Sequence, residues 1–231
     1  MSELLHGPLF AITLTLLAYQ GAMFVYTRSG RLALFHPTIS GATLIAAALM
    51  LLQQDYHAYY QNINWLTFLL GPATVALAVP LYRQLHLLRN MAGPLLITVT
   101  VGAIFASASA LIIAWLFGAN HSTLLSLTTK SITTPIAITV TQDIGGVTTI
   151  AVASVILTGV VGITTVTWLF EKLDIQDDRL WGFCLGLSAH AIGTSRAFER
   201  SPVAGAFSSL ALCLTGTFTA IFVPFAARWF M

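Results

Sequence analysis

Residues 126–146, with the sequence SLTTKSITTPIAITVTQDIGG, interrupt an otherwise apolar chain. Pro135 lacks an N–H, and its ring clashes with the carbonyl group four residues earlier in a continuous helix. It also disfavours helical angles at Thr134, the residue before it. Gly145 and Gly146 break the chain again. In a membrane, such breaks are tolerated only where protein or a water-filled cavity satisfies the released backbone groups. We therefore predict two short helical pieces that meet at the proline, with a site at their junction.

The composition places the whole chain in a membrane. Of its 231 residues, 57% are hydrophobic and only 8% are charged, whereas soluble domains carry about 25% charged residues. Apolar runs of about 20 residues can span a bilayer as helices, and the strict alternation that a membrane β-barrel needs is absent. We predict an all-α integral membrane protein, forming one polytopic domain over residues 1–231 with halves at about 1–118 and 121–231.

The composition also limits cofactors and partners. A formal charge of +2 and the absence of a basic patch give no indication of a nucleic-acid partner. Cys184 and Cys213 lie in apolar segments without disulfide or metal-ligand spacing. We expect no metal and no cofactor.

The apolar segments predict about seven or eight transmembrane segments, two of them interrupted or re-entrant. Besides the broken segment 126–146, helices are expected at about residues 8–26, 37–52, 64–82, 94–117, 147–170, 180–194 and 205–229. GPATVALAVP and TPIAITVTQD resemble each other, and paired interrupted helices are typical of an internal inverted repeat. Chance similarity between two apolar segments is the alternative.

The distribution of basic residues among the loops predicts one orientation of the chain in the membrane. Eight full crossings would put Arg196, Arg200 and the earlier loop arginines on the cytoplasmic side, with the polar residues 171–179 opposite and both termini outside. If residues 126–146 or 180–196 re-enter instead of crossing, the count and the termini change.

Lys130 is the sharpest functional candidate. A lysine at the bilayer centre costs roughly 3 kcal/mol, and such residues usually face a cavity or a partner. On one helix, Ser126, Lys130 and Thr133 or Thr134 would share a face that suits a small carboxylate. The alternative is a lysine near a helix end that extends its ammonium group to the interface.

Asp143 has two interpretations. Beside Gly145 and Gly146, it would cap the next helix, whose N-terminus favours an acidic group. Alternatively, it is a protonatable carboxylate that couples substrate to a proton.

A second polar cluster occupies residues 186–200, GLSAHAIGTSRAFER. His190 and Thr194 are neighbours on a helix face, histidine titrates near neutral pH, and the fork of Arg196 matches a carboxylate. The alternative is a helix that ends at Gly193, followed by Arg196 and Arg200 as cytoplasmic anchors, with Glu199 paired to one of them. His190 is only two residues from Ser188 and on a different helix face, so serine-protease chemistry is not expected; we predict no enzyme activity.

Four segments in order resemble the LrgB/CidB family of bacterial membrane proteins: GPATVALAVPLYRQL, KSITTPIAITVTQDIGG, SAHAIGTSRAFE and GAFSSLALCLTGTFTAIFVPF. The similarity extends from about residue 30 to residue 228. The resemblance implies a bacterial cytoplasmic-membrane protein, related to holin-like regulators of murein hydrolase export and autolysis. Those regulators act with a small LrgA/CidA-type membrane protein. A plant relative is the plastidal glycolate/glycerate translocator. The family pattern implies these site residues: Lys130, Ser131, Thr133, Thr134, Pro135, Gly145, Gly146, His190, Gly193, Thr194 and Arg196.

Two functions remain open. The first is a secondary transporter of small monocarboxylates (glycolate, glycerate, pyruvate or lactate) that works by alternating access, with proton coupling through His190 or Asp143 as an option. The second is a holin-like homo-oligomeric assembly that regulates envelope hydrolases, in which Gly182 and Gly186 allow another backbone to approach closely.

Overall fold

A computed structural model of the chain describes residues 7–76, 78–83 and 85–228. Inside residues 67–88, the side chains of 67, 70, 71, 73, 74, 78, 80, 81, 87 and 88 are also outside the description. All regular elements within the described ranges are helical. The prediction of an all-α protein is therefore confirmed for this part of the chain.

The helices fall into two compact units, residues 1–77 and 78–231. In the first unit they are α1 (Pro8–Arg28), a 3₁₀ turn (Ala33–Phe35), α2 (Pro37–Leu51), α3 (Tyr56–Asn62) and α4 (Asn64–Ala76). In the second unit they are α5 (Ala78–Arg83), α6 (Leu85–Asn90), α7 (Ala92–Leu116), α8 (His121–Leu127), α9 (Thr134–Asp143), α10 (Thr148–Lys172), α11 (Asp178–Arg200) and α12 (Pro202–Ala227). The predicted third helix, residues 64–82, corresponds to α4 and α5, and Leu77 between them lies outside the described residues.

Local sequence signals set several helix ends in the first unit. His36 accepts the Thr38 N–H through Nδ1 at the start of α2, and Asp55 accepts the Ala58 N–H at the start of α3. These are the positions at which polar side chains replace the missing intrahelical partners. α1 packs on α2 and α3, and the Thr15 hydroxyl lies 2.7 Å from the Tyr59 hydroxyl.

In the second unit, α12 packs along α11 and also contacts α5, α7 and α9. Small residues make the α11–α12 contact close: a Cβ atom on Gly182 would overlap the Ala204 carbonyl, and one on Gly186 would overlap the Ser208 carbonyl. The prediction that these glycines admit another backbone is confirmed, and that backbone belongs to the same chain. α10 also packs against α11, and it contacts α8 and α9.

Within the described ranges, four helices are long and apolar enough to cross a membrane: α1, α7, α10 and α12. α7 is the least covered, with 11% of its most apolar window buried, and its exposed side chains include Ile97, Phe105 and Ile112. Such a surface is stable against lipid tails, which are as apolar as the side chains themselves. The protein is a multi-pass membrane protein. The count of seven or eight segments and the internal repeat stay predictions.

One part of the eight-crossing arrangement is wrong. Arg200 Nε lies 2.6 Å from the Asp178 carboxylate and Arg200 also contacts the Gln176 carbonyl. Because the hydrocarbon core of a bilayer is about 30 Å thick, residues 176–178 and Arg200 cannot lie on opposite faces. The chain between Asp178 and Arg200 therefore reverses direction and returns to the face from which it started.

Candidate substrate site at two helical hairpins

The segment around Pro135 is broken as the sequence predicts. α8 ends at Leu127, and α9 begins at Thr134 with the proline in its first turn. The proline ring fits there because the N–H that it lacks has no partner in a first turn. Residues 128–133 between the two helices are not helical. Two short helical pieces therefore meet at a turn, which we call the tip of the first hairpin (residues 121–147).

Two polar contacts close the first hairpin below its tip. The Ser126 hydroxyl, which is fully buried, accepts the Val147 N–H at 2.7 Å and donates to the Ser122 carbonyl at 2.6 Å. The Thr129 and Thr141 hydroxyls, also buried, lie 2.9 Å apart. Residues that are 12 and 21 positions apart in sequence thus touch, so α9 returns beside α8.

Gly145 and Gly146 lie at the base of the first hairpin and not at its tip. Gly145 has a φ of +74°, a backbone angle that residues with a Cβ atom rarely adopt. A Cβ atom on Gly146 would lie 3.1 Å from the Ser126 nitrogen and 2.7 Å from the Thr141 methyl group. The two glycines let the chain leave α9 and pass close to α8.

Lys130 lies at the tip of the first hairpin and is half-buried. Its ammonium group donates to the Ser131 hydroxyl at 3.3 Å, and no carboxylate among the described residues forms an ion pair with it. The expectation that Ser126, Lys130 and Thr133 share one helical face is wrong, because α8 ends at Leu127.

The other predicted residues of this tip surround the lysine in sequence. Ser131 is buried, Thr133 and Thr134 are partly exposed, and Pro135 is exposed. Among the described residues, no side chain caps α9. The N–H groups of its first turn, which have no partner within a helix, therefore carry a partial positive charge. The tip therefore combines an ammonium group, hydroxyls and a positive helix end.

α11 forms a second hairpin (residues 178–200) that reverses at His190. This residue has φ +42° and ψ −128° inside an otherwise helical run. A Cβ atom on Gly193 would overlap the Leu185 carbonyl, which is on the outgoing leg, so the two legs lie side by side. The reversal comes three residues before the helix end that the sequence suggested at Gly193.

Hydrogen bonds hold the tip of the second hairpin. His190, 1% exposed, lies with Nε2 2.9 Å from the Val155 carbonyl. Because a carbonyl oxygen only accepts, Nε2 carries the proton in this contact. The Thr194 hydroxyl donates to the His190 carbonyl at 2.9 Å and lies 2.9 Å from the Ser208 hydroxyl. A positive φ at a residue other than glycine costs about 1–3 kcal/mol, which these contacts must offset.

The two tips meet at the middle of α10. Ile132 and Ala137 of the first hairpin form a buried cluster with Val155, and the Val155 carbonyl binds His190. A Cβ atom on Gly159, one turn further along α10, would lie 3.1 Å from His190 Cε1. The sequence-predicted residues Lys130, His190 and Thr194 are thus brought to one region.

Two predicted residues lie elsewhere. Arg196, on the returning leg of the second hairpin, donates to Glu199 at 2.6 Å. Asp143 is exposed at the C-terminal end of α9. It does not cap the next helix, because the N-cap of α10 is Val147, whose N–H donates to Ser126.

Sequence reasoning missed three residues of this region. Thr129 and Thr141 are hydroxyl residues in the broken segment, so their polarity was a signal, but their pairing depends on the fold. Val155 gave no signal, because it contributes a backbone carbonyl that every residue type possesses.

Comparisons with known proteins identify the family of this chain. The LrgB-like family model matches residues 15–229. The Bacillus subtilis protein YxaC is 38% identical over 213 residues, which are 92% of each chain. Holin-like protein CidB of Staphylococcus epidermidis is 27% identical over 224 residues, 97% of each chain. Antiholin-like protein LrgB of Bacillus cereus is 27% identical over 217 residues, 94% of each chain. No solved structure matches the chain. With a model match over nearly its whole length and a relative at 38% identity, this chain belongs to the LrgB-like family.

Proposed function

We propose that the protein is a secondary transporter of small monocarboxylates, of the glycolate, glycerate, lactate or pyruvate type. The proposal rests mainly on the burial and the hydrogen bonding of the Lys130 ammonium group. Its ammonium group is half-buried, and its hydrogen bond to Ser131 is long at 3.3 Å. Removing a charge from water without a counter-charge is unfavourable. A carboxylate bound at the tip would supply that counter-charge.

The backbone at the tip supports an anionic ligand as well. The uncapped first turn of α9 follows Lys130 by four residues, and helix N-termini bind anions through free N–H groups and the helix dipole. Ser131 and the two threonines before Pro135 add hydroxyl groups that accept or donate hydrogen bonds. These groups together would replace the water shell of a carboxylate of two or three carbons.

Alternating access is supported by the two-hairpin arrangement. Secondary transporters often build the substrate site near the bilayer midplane from discontinuous helices whose N-termini point at anionic groups. Here two discontinuous segments meet at Val155 of α10, a helix long and apolar enough to span. Movement of the hairpins relative to the spanning helices would expose the site to each side in turn.

The test is uptake of radiolabelled glycolate by proteoliposomes that contain the purified full-length protein. Saturable uptake is expected, and it is lost in Lys130→Gln. The matched control is Lys172→Gln, since Lys172 is the other lysine of the chain and lies over the Trp168 ring at 4.8 Å from its centroid. Non-saturating uptake, with unrelated solutes passing equally well, would contradict the proposal.

Holin-like regulation is the second candidate, and the names of the relatives favour it. CidB of Staphylococcus epidermidis is called holin-like, and LrgB of Bacillus cereus is called antiholin-like. This function would require a homo-oligomer or a complex with a small LrgA/CidA-type membrane protein. It predicts release of large dyes from proteoliposomes that persists in Lys130→Gln, whereas a carboxylate transporter retains such dyes.

A further inference from the structure

We infer that His190 binds the proton that accompanies each carboxylate, so that anion and proton are taken up together. This inference rests on the proposed transport function and assigns its coupling group. A carboxylate at Lys130 would lie near the tip of the second hairpin, where the His190 ring is buried. The sequence offers two candidates for the coupling group, Asp143 and His190. Their positions in the structure distinguish between them.

Asp143 is at the wrong end of its helix for this role. It is the last residue of α9 and is exposed, whereas the tip of the first hairpin is at the start of α9. His190 is at the tip of its own hairpin, and that tip meets the tip of the first hairpin at Val155. Only His190 is placed to sense an anion that binds to Lys130.

The hydrogen bonding of the ring leaves one nitrogen available. Nε2 donates to the Val155 carbonyl at 2.9 Å, so the neutral ring has its lone pair on Nδ1. Among the residues that the structure describes, none forms a hydrogen bond with Nδ1. A proton can therefore be added at Nδ1 while the contact to Val155 is kept.

The charges around the ring make protonation depend on the anion. From the first hairpin, the charged residue at the tip is Lys130, two residues before Ile132, which packs against Val155. From α10 the group is the neutral Val155 carbonyl, and from α12 it is the Ser208 hydroxyl, reached through Thr194. Within the described ranges, no carboxylate forms an ion pair with His190. A protonated ring would therefore be a second buried cation beside Lys130 until a carboxylate arrives to compensate both charges.

The backbone of His190 is independent support for a role of the side chain. Its φ of +42° and ψ of −128° belong to a region that glycine occupies without strain and other residues avoid. A glycine would make the same reversal more easily. Strained residues of this kind cluster at functional sites, and here the ring donates a hydrogen bond to a carbonyl of α10.

The experiment is calorimetric titration of the full-length protein in lipid nanodiscs with glycolate, in phosphate and in Tris buffer. The two buffers differ in their heat of ionisation, so the difference in measured heat counts the protons taken up. We expect one proton for each glycolate near neutral pH. We also expect the apparent Kd to rise by about tenfold per pH unit where the free ring is neutral.

The variants separate failure of this inference from failure of the proposed function. In His190→Gln, whose amide can still donate to the Val155 carbonyl, glycolate should bind without proton uptake. In Asp143→Asn, uptake of one proton should persist. Should His190→Gln fail to fold, the wild-type proton count and the Asp143→Asn comparison decide the matter.

Three results would overturn the inference. They are glycolate binding without proton uptake in the wild type, undiminished uptake in a folded His190→Gln variant, and loss of uptake in Asp143→Asn. The complete absence of glycolate binding in the wild type would instead overturn the proposed function and the inference with it.

Discussion

The reversal of α11 makes a prediction that a distance measurement can test. Asp178 and Arg200 are 22 residues apart. At about 1.5 Å per residue, a continuous helix would separate them by about 33 Å. In the hairpin, the Arg200 guanidinium and the Asp178 carboxylate are 2.6 Å apart, so their backbones lie within the combined reach of two side chains.

The perturbation is a cysteine pair, Asp178→Cys with Arg200→Cys, in a Cys184→Ala and Cys213→Ala background. Both natural cysteines are free thiols, so they must be replaced first. The lost ion pair is about one-third exposed on each side, and such pairs contribute about 0–1 kcal/mol. The folded protein should therefore survive the substitutions.

A short bismaleimide should join the two cysteines within one chain, and mass spectrometry after proteolysis should detect the joined peptides. The matched control is Thr148→Cys with Lys172→Cys at the ends of the straight helix α10. These ends are 24 residues apart, which is about 36 Å along a helix, so no cross-link should form. If the 178/200 pair stays unlinked while each cysteine reacts with a monofunctional maleimide, the hairpin geometry is refuted.

Three further predictions concern packing, hydroxyl pairing and pH. Gly186→Ala should lower the free energy of unfolding by about 1–3 kcal/mol, because the new Cβ overlaps the Ser208 carbonyl. Gly93→Ala is the control, because a Cβ there would meet no described atom within 4 Å apart from neighbouring residues of its own helix, so the thermal midpoint in detergent should stay unchanged or rise slightly. Equal midpoints for the two variants would contradict this packing. Thr129→Val should lower the free energy of unfolding by about 1 kcal/mol, because it leaves the Thr141 hydroxyl unpaired. Adding Thr141→Val should recover part of that loss. Strictly additive effects of the two substitutions in chemical denaturation would refute the pairing at 2.9 Å. The hydrogen bond from the Arg179 side chain lowers the pKa of the Asp177 carboxyl. The ionised carboxylate therefore stabilises the folded state fully at pH values above its unfolded pKa of about 3.9. This stabilisation is lost as the pH falls through the lower pKa of the folded state. Asp177→Asn should therefore reduce the change in thermal midpoint between neutral and acidic pH, and an unaltered pH profile would argue against this contribution.

Much of the first hairpin could be predicted from the sequence because its cause is local. Pro135 removes a hydrogen-bond donor and excludes the preceding backbone from helical angles, wherever the segment lies in the fold. The start of α9 at Thr134 follows from that chemistry. The end of α8 does not: the helix stops at Leu127, earlier than the proline alone requires, so the predicted shared helical face of Ser126, Lys130 and Thr133 was wrong.

The second hairpin could not be predicted in the same way. Residues 186–195 contain glycine at 186 and 193 but no proline, and the reversal occurs at His190, a residue that does not favour positive φ. Nothing local requires that conformation. It is stabilised by a carbonyl of α10 and a hydroxyl of α12, both supplied by distant parts of the chain.

The sequence by itself determined that this protein is an all-helical membrane protein with a broken segment at Pro135 and a lysine at the break, because hydropathy and proline stereochemistry act within a few residues. Only the tertiary structure decided that α11 folds back on itself, so that Arg200 pairs with Asp178, and that the tips of the two hairpins meet at Val155. These are contacts between residues remote in sequence, and their energies depend on packing that no local pattern encodes.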